Sequence, residues 1–239
     1  MLFYPTPICS VHTVMLSYTA FGTRRAPVYR TLKIMSEQHY FTNSPETAYK
    51  PKKIRVNLAG QSLSVTTANG IFSPGGIDKG TAVLLADAPE PQGTTMLDIG
   101  CGWGPITMTM AMLAPNATVY GVDVNERSRS LALMNAADNR LSNVRIASPE
   151  EVPADLLFDT IWSNPPIRVG KEVLHEILLT WLPRLAVGGV AYLVVQKNLG
   201  ADSLLTWLDK ALTEVDGQYK VSRYSTSKGF RLLEVARTA

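Results

Sequence analysis

The segment from Thr94 to Asp123 constrains this chain most. A short apolar run reaches Met96-Leu97, turns through Asp98-Ile99-Gly100-Cys101-Gly102-Trp103-Gly104-Pro105 into a helical pattern, and is followed by a second short run, Thr118 to Asp123, that closes on a carboxylate. Three alternating glycines admit dihedrals that a side chain forbids and let the backbone approach a ligand closely. Pro105 suits the first helical turn, where its missing N–H is not needed. Amides exposed at that helix start carry partial positive charge, suited to a carboxylate or phosphate. The glycines run G-x-G-x-G directly after an acid, not G-x-G-x-x-G, which argues against a nicotinamide dinucleotide. Asp123 stands nineteen residues beyond Gly104, where this topology places a partner for ribose hydroxyls. A nucleoside-bearing cofactor is implied. The competing reading, a tight turn without a ligand, does not account for the spaced acid.

The surrounding pattern makes the loop part of a larger α/β sheet. Short apolar runs at about 94–99, 117–123, 143–147, 157–163 and 188–196 alternate with helical patterns at about 104–114, 126–139, 171–185 and 201–212, as expected of parallel strands covered on both faces. Two final strands, 219–224 and 230–236, flank Ser225 to Gly229, short enough for an antiparallel hairpin. Upstream, 54–58 and 63–67 alternate around Ala59-Gly60 as a hairpin, and 78–88 reads as a helix with Asp78 as N-cap. The organisation expected is therefore an N-terminal extension over 1–36 without periodicity, a small β-rich subdomain with one helix over 37–93, and a core over 94–239. Met35 marks the composition change at which the native protein would begin.

The second chemical feature is Asn164-Pro165-Pro166-Ile167, at the carboxyl end of the fourth core strand, the edge where open α/β sheets bind ligands. The asparagine side-chain oxygen and the Pro165 carbonyl can accept both hydrogens of an amino group, and two prolines make the loop stiff. A planar exocyclic amine is a poor nucleophile because its lone pair is delocalised. Holding both N–H groups favours lone-pair density facing an electrophile, and positioning supplies much of the remaining rate. Ile167 would supply apolar contact, with Phe72 or Trp103 as candidate stacking rings. A plain proline turn ending a strand is the bland alternative.

On these residues the chain resembles the class I S-adenosylmethionine-dependent methyltransferases, with a Rossmann-like seven-stranded sheet. The resemblance implies that Asp98, Gly100, Cys101, Gly102 and Gly104 hold the aminoacyl end of the cofactor, that Asp123 binds its ribose, and that Val124 lies beside its adenine. The family's acidic or polar residue after the third strand is replaced here by Ala147-Ser148-Pro149-Glu150, with Ser148 as the substitute. The stretch Asn164 to Lys171, together with Gly70-Ile71-Phe72-Ser73-Pro74-Gly75-Gly76-Ile77-Asp78-Lys79-Gly80, is similar more narrowly to the small-domain ribosomal RNA guanine-N2 methyltransferases, from His39-Tyr40-Phe41 to the last strand. That likeness implies that Phe72, Ser73 and Asp78 pack over the cofactor. Larger members carry a degenerate methyltransferase-like domain ahead of the catalytic one, for which 239 residues leave no room.

Charge bears on the partner. Residues 1–53 hold seven Lys or Arg against Glu37 and Glu46, whereas the remainder holds 16 against 18. A basic N-terminal part fits a polyanion such as ribosomal RNA or a ribosomal subunit precursor, and an ordinary solvated segment is the alternative. Arg168, Lys171, Gln196 and Lys197 are further candidate RNA contacts. Two cysteines and three histidines show no zinc spacing, so no metal is expected. With no run of eighteen apolar residues and no signal peptide, a cytoplasmic, non-membrane enzyme is expected. The expected reaction is methyl transfer to guanine N2 of ribosomal RNA. Its rivals are adenine-N6 methylation of nucleic acid, glutamine methylation of a release factor, which prefers an aromatic where Ile167 stands, and a non-catalytic ribosome-assembly factor.

Overall fold

A computed structural model describes residues 48–238. The expected extension over 1–36, the start at Met35, and the first residues of the expected subdomain, His39-Tyr40-Phe41 among them, lie outside that span.

The chain begins with an antiparallel hairpin, β1 (Pro51–Leu58) and β2 (Gln61–Ala68), followed by α1 (Lys79–Asp87). Then come β3 (Thr95–Ile99), α2 (Pro105–Leu113), β4 (Thr118–Val122), α3 (Glu126–Asp138), β5 (Val144–Ala147), β6 (Phe158–Ser163), α4 (Lys171–Trp181), β7 (Leu185–Gln196), α5 (Ala201–Val215), β8 (Tyr219–Ser227) and β9 (Phe230–Arg237). Seven strands form one sheet in the order β5-β4-β3-β6-β7-β9-β8. The first five are mutually parallel, and β9 enters antiparallel between β7 and β8. Strand order reverses between β3 and β6. The loops after these two strands are Asp98–Gly104 and Asn164–Ile167, so both chemical motifs stand at the topological switch point.

Alternation along each strand sorts the core into two faces. Leu97 and Ile161 face a cluster with Leu174, Leu178 and Trp181 of α4 and Leu204 and Leu208 of α5. Their neighbours Met96 and Trp162 face the opposite way, onto Val83 and Leu84 of α1 and Ile106 and Met110 of α2. The helix expected at 78–88 thus covers the main sheet. A third cluster joins Val56, Leu58 and Val65 of the hairpin to Trp103, Met108 and Leu131. Buried Asn135 of α3 ties these parts together: its side chain accepts from the Thr66 amide at 2.7 Å and donates to the Thr66 and Trp103 carbonyls, each at 2.9 Å.

Several boundaries differ from expectation, three of them informatively. The helix expected to run to 185 stops at Trp181, because Pro183 lacks the amide needed to continue it; a 3-10 turn over Leu182–Arg184 leads into a β7 of 12 residues. The last hairpin turns on two residues rather than five: Lys228 and Gly229 both hold positive φ (49° and 84°), as a type I′ turn requires, and pairing continues to Ser227 and Phe230. The helix expected to end at 212 continues to Val215.

Candidate functional site

The loop after β3 is built on backbone conformation. Gly100 and Gly102 hold φ of 77° and 56°, and a Cβ on either would meet nothing within 4 Å. Their bare main chain therefore faces open space, as a backbone cradle for a ligand requires. Gly104 differs: a Cβ there would lie 3.3 Å from the Ala132 Cβ, so this glycine seats the loop against α3.

Two carboxylates, the buried Asp98 and the half-buried Asp123, brace the loop. One oxygen of Asp98 accepts from the Thr107 amide at 3.0 Å and the Thr107 hydroxyl at 2.6 Å, while its other oxygen, Oδ1, is buried without a partner. Burial raises the Asp98 pKa to about 7, against the opposing pull of Thr107. Asp123 accepts from the Gly102 amide at 2.9 Å and the Asn125 amide at 2.8 Å, and burial also pushes its pKa upward. It thus holds the loop from the next strand. Arg129 donates to the carbonyls of Asp123 and Val124 and fixes their backbone. The Cys101 thiol is buried, and burial together with the negative Asp123 and Asp98 drives its pKa up, which keeps it neutral.

The target loop is fixed from a distance. Asn164 Nδ2 donates to Asp78 Oδ2 and to Thr81 Oγ1, both at 3.1 Å. Its carbonyl oxygen is left as the available acceptor, an amide orientation set by this network. Asp78 also caps α1, accepting from the Gly80 amide at 2.7 Å. Gly80 is needed here for space: an added Cβ would come within 3.0 Å of Asp78 Oδ2, 3.1 Å of Phe230 Cε1 and 3.3 Å of Asn164 Nδ2. Gly80 closes the stretch that carries the resemblance, whereas Thr81 and Phe230 carry no motif of their own and escape a reading by spacing.

These parts converge on an open cleft whose lining includes Phe72, Ser73, Asp78, Gly100, Gly102 and Asn164. Phe72 is 53% exposed. Ser73 has a left-handed backbone, φ 46°, and its hydroxyl donates to the Gly76 carbonyl at 2.8 Å. Of the other expected site residues, Cys101 lines the cleft, whereas Gly104, Asp123, Val124, Ser148, Pro165, Pro166 and Ile167 stand outside its lining and Asp98 lies buried behind it.

Two expectations change in detail. Trp103 is 1% exposed and packs under the hairpin, so its ring is not a stacking platform; its position between two helices and β2 made it core. The Pro165 carbonyl already accepts from the Ile167 amide at 2.8 Å across Pro166 (φ −75°, ψ 75°), an inverse γ-turn that leaves one lone pair for a ligand. The Ser148 amide donates to Glu151 at 2.7 Å within a local turn. His175, given no catalytic role, stacks on Trp207 at 3.4 Å between centroids.

The loop fits the aminoacyl nucleoside implied by the sequence. A buried carboxylate oxygen without a partner suits a cationic ammonium group, the bare main chain at Gly100 and Gly102 admits close approach of the ligand, and Asp123 keeps unused lone pairs for ribose hydroxyls. Among the described residues no cluster of three or more His, Cys, Asp or Glu could hold a metal ion, and no helix is long and apolar enough to cross a membrane.

Comparison with known proteins agrees with this geometry. The family model for the methyltransferase small domain matches residues 62–227. The uncharacterized protein YbxB of Bacillus subtilis is 33% identical over 80% of this chain and 96% of its own length. Ribosomal RNA small subunit methyltransferase C of Hahella chejuensis is 29% identical over 83% of this chain and 61% of its own. Ribosomal RNA large subunit methyltransferase G of Shewanella oneidensis is 26% identical over 69% and 46%. The chain therefore spans roughly half the length of these two ribosomal RNA enzymes. The Thermus thermophilus 16S rRNA N2 G1207 methyltransferase, solved with AdoMet and guanosine, shares the fold with a TM-score of 0.64 at 23% identity, over 82% of this chain and 52% of that one. The chain belongs to the methyltransferase small-domain family and is an S-adenosylmethionine-dependent methyltransferase with the Rossmann-like class I fold.

Proposed function

We propose that this enzyme methylates the exocyclic N2 amine of a guanine in ribosomal RNA. One observation carries the reading: the amide nitrogen of Asn164 is held by Asp78 and Thr81, which turns its oxygen into an acceptor beside the glycine loop. When bound, S-adenosylmethionine supplies an electrophilic methyl group. Asp98, Gly100, Gly102 and Asp123 are the residues that would hold it, with Val124 and Ser148 toward the adenine and Phe72 and Ser73 across the cleft.

Asn164 Oδ1 accepts one hydrogen of the amine and the remaining lone pair of the Pro165 carbonyl accepts the other. Both acceptors pull on the same nitrogen, so its lone pair is directed out of the conjugated plane. The Asp78 carboxylate, hydrogen-bonded to the far end of the Asn164 amide, polarises that group and strengthens its oxygen as an acceptor. Pro166 and Ile167 hold the turn, and Ile167 offers apolar surface to a base. Ribosomal RNA as the substrate is supported by the two relatives named as ribosomal RNA methyltransferases, and guanine by the N2 G1207 activity and the bound guanosine of the Thermus structure.

Mass spectrometry of ribosomal RNA nucleosides, from cells with and without the gene, tests the reading. Loss of N2-methylguanosine is expected. Loss of N6-methyladenosine instead, or an unchanged RNA profile, would overturn it.

A further inference from the structure

We propose that the exposed cations along β1 form a docking track for an RNA backbone that leads to the cleft; this rests on an RNA substrate. Residues 48–68 contain Lys50, Lys52, Lys53 and Arg55 and no acid, whereas residues 69–239 hold 15 Lys or Arg against 18 Asp or Glu. The basic excess of residues 48–239 is therefore concentrated in one hairpin. All four side chains are exposed, and none makes an ion pair among the described residues. On α3, the helix packed beneath the hairpin, the acids are Glu126 in the first turn and Asp138 at the last residue.

Placement gives this charge a direction. Val56 and Leu58 face the core, so strand alternation turns Lys53 and Arg55 outward, opposite Thr66 and Ser64, while Lys52 shares the phase of Val56 and is exposed near the start of the strand. Lys50 to Arg55 extend over about 17 Å at strand spacing, enough for several phosphate contacts. The end nearer the cleft is pinned: the Lys50 amide donates to Asn69 Oδ1, Asn69 Nδ2 donates to the Ala48 carbonyl, and the Thr67 hydroxyl donates to the Pro74 carbonyl at 2.7 Å, inside the loop that carries Phe72 and Asp78. At this end Tyr49 is 52% exposed, with the Arg127 guanidinium 5.6 Å from its ring centre. Exposed aromatic and cationic groups side by side are what a single-stranded nucleic acid binds, by stacking and by phosphate attraction.

The test is the salt dependence of binding to a labelled single-stranded RNA oligonucleotide, measured by fluorescence anisotropy on the full chain. For a single strand, log K falls with log salt by about 0.7 per phosphate contact. The triple variant Lys52→Gln/Lys53→Gln/Arg55→Gln is expected to lower that slope by about 2 and to weaken binding at least tenfold at about 0.1 M salt. Its melting temperature and calorimetric cofactor affinity should stay unchanged. A control, Lys210→Gln/Lys220→Gln, should leave the slope alone. An unchanged slope in the triple variant, or an equal loss in the control, would overturn the track. Nucleoside mass spectrometry reports separately on guanine: a different methylated base with an intact hairpin effect would remove the guanine reading and leave the track standing.

Discussion

The loop after β3 and the loop after β6 occupy adjacent positions at the same sheet edge, yet they are held in different ways. The glycine loop is braced by residues close to it in sequence: Thr107 reaches back to Asp98, and Asp123 and Asn125 belong to the next strand and its turn. The asparagine loop is oriented by Asp78 and Thr81, more than 80 positions earlier. A cofactor cradle can thus form within one β-α-β unit, whereas the target acceptor exists only after α1 has docked on the sheet through Val83 and Leu84. Cofactor binding and methyl transfer should therefore be separable by mutation.

Asn164→Ala puts most strain on that comparison. Loss of a preorganised hydrogen-bonding group at a reacting centre costs on the order of 100- to 1,000-fold in kcat. Methyl transfer should fall by that amount, while cofactor affinity by calorimetry stays within about twofold, the handbreadth expected of a group outside the cradle. A matched loss of cofactor affinity would join the two loops into one unit. Asp123→Ala is the reciprocal change. Hydrogen bonds to a charged group contribute about 1.5–3 kcal/mol, so cofactor binding should weaken roughly tenfold to 100-fold, with the turnover of saturated enzyme less affected.

Thr81→Val sharpens the long-range half. It deletes one of the two acceptors that orient Asn164, a loss of about 1 kcal/mol. The rate should fall by roughly fivefold with no change in cofactor affinity, and a Thr81→Ser variant should recover most of it. The effect of pH on the ligand-free protein is smaller and belongs to the other loop. Burial raises Asp98 from 3.8 to about 7, so the folded state takes up a proton that the unfolded chain has already lost. Its stabilising contribution is complete below about pH 4 and is lost as pH rises through about 7. Scanning calorimetry should show the melting temperature attributable to this group falling between about pH 4 and 7 and levelling above, with a flatter profile in Asp98→Asn.

The sheet and its glycine loop were legible because each depends on neighbours in sequence. Apolar runs of strand length, the G-x-G-x-G spacing and the terminal acid at Asp123 state their own geometry, and observed strands and helices begin within a few residues of the expected positions. Boundaries moved where one residue decided them, as at Pro183 and at Lys228-Gly229. Trp103 looked like a ligand-stacking ring because it sits inside a binding motif; the hairpin that buries it pairs far upstream.

What the sequence by itself determined is the chemistry available: a backbone cradle with two carboxylates, and a rigid loop bearing one amide. These follow from dihedral preferences and residue types over a few positions. Tertiary structure alone decided which end of the Asn164 amide faces the cleft, that Asp98 keeps one oxygen without a partner, and that the Phe72 ring stays exposed at the cleft while Trp103 is buried under the hairpin. Each of these depends on the packing of α1, α3 and the hairpin against the sheet, and contacts between segments so far apart leave no periodic trace along the chain.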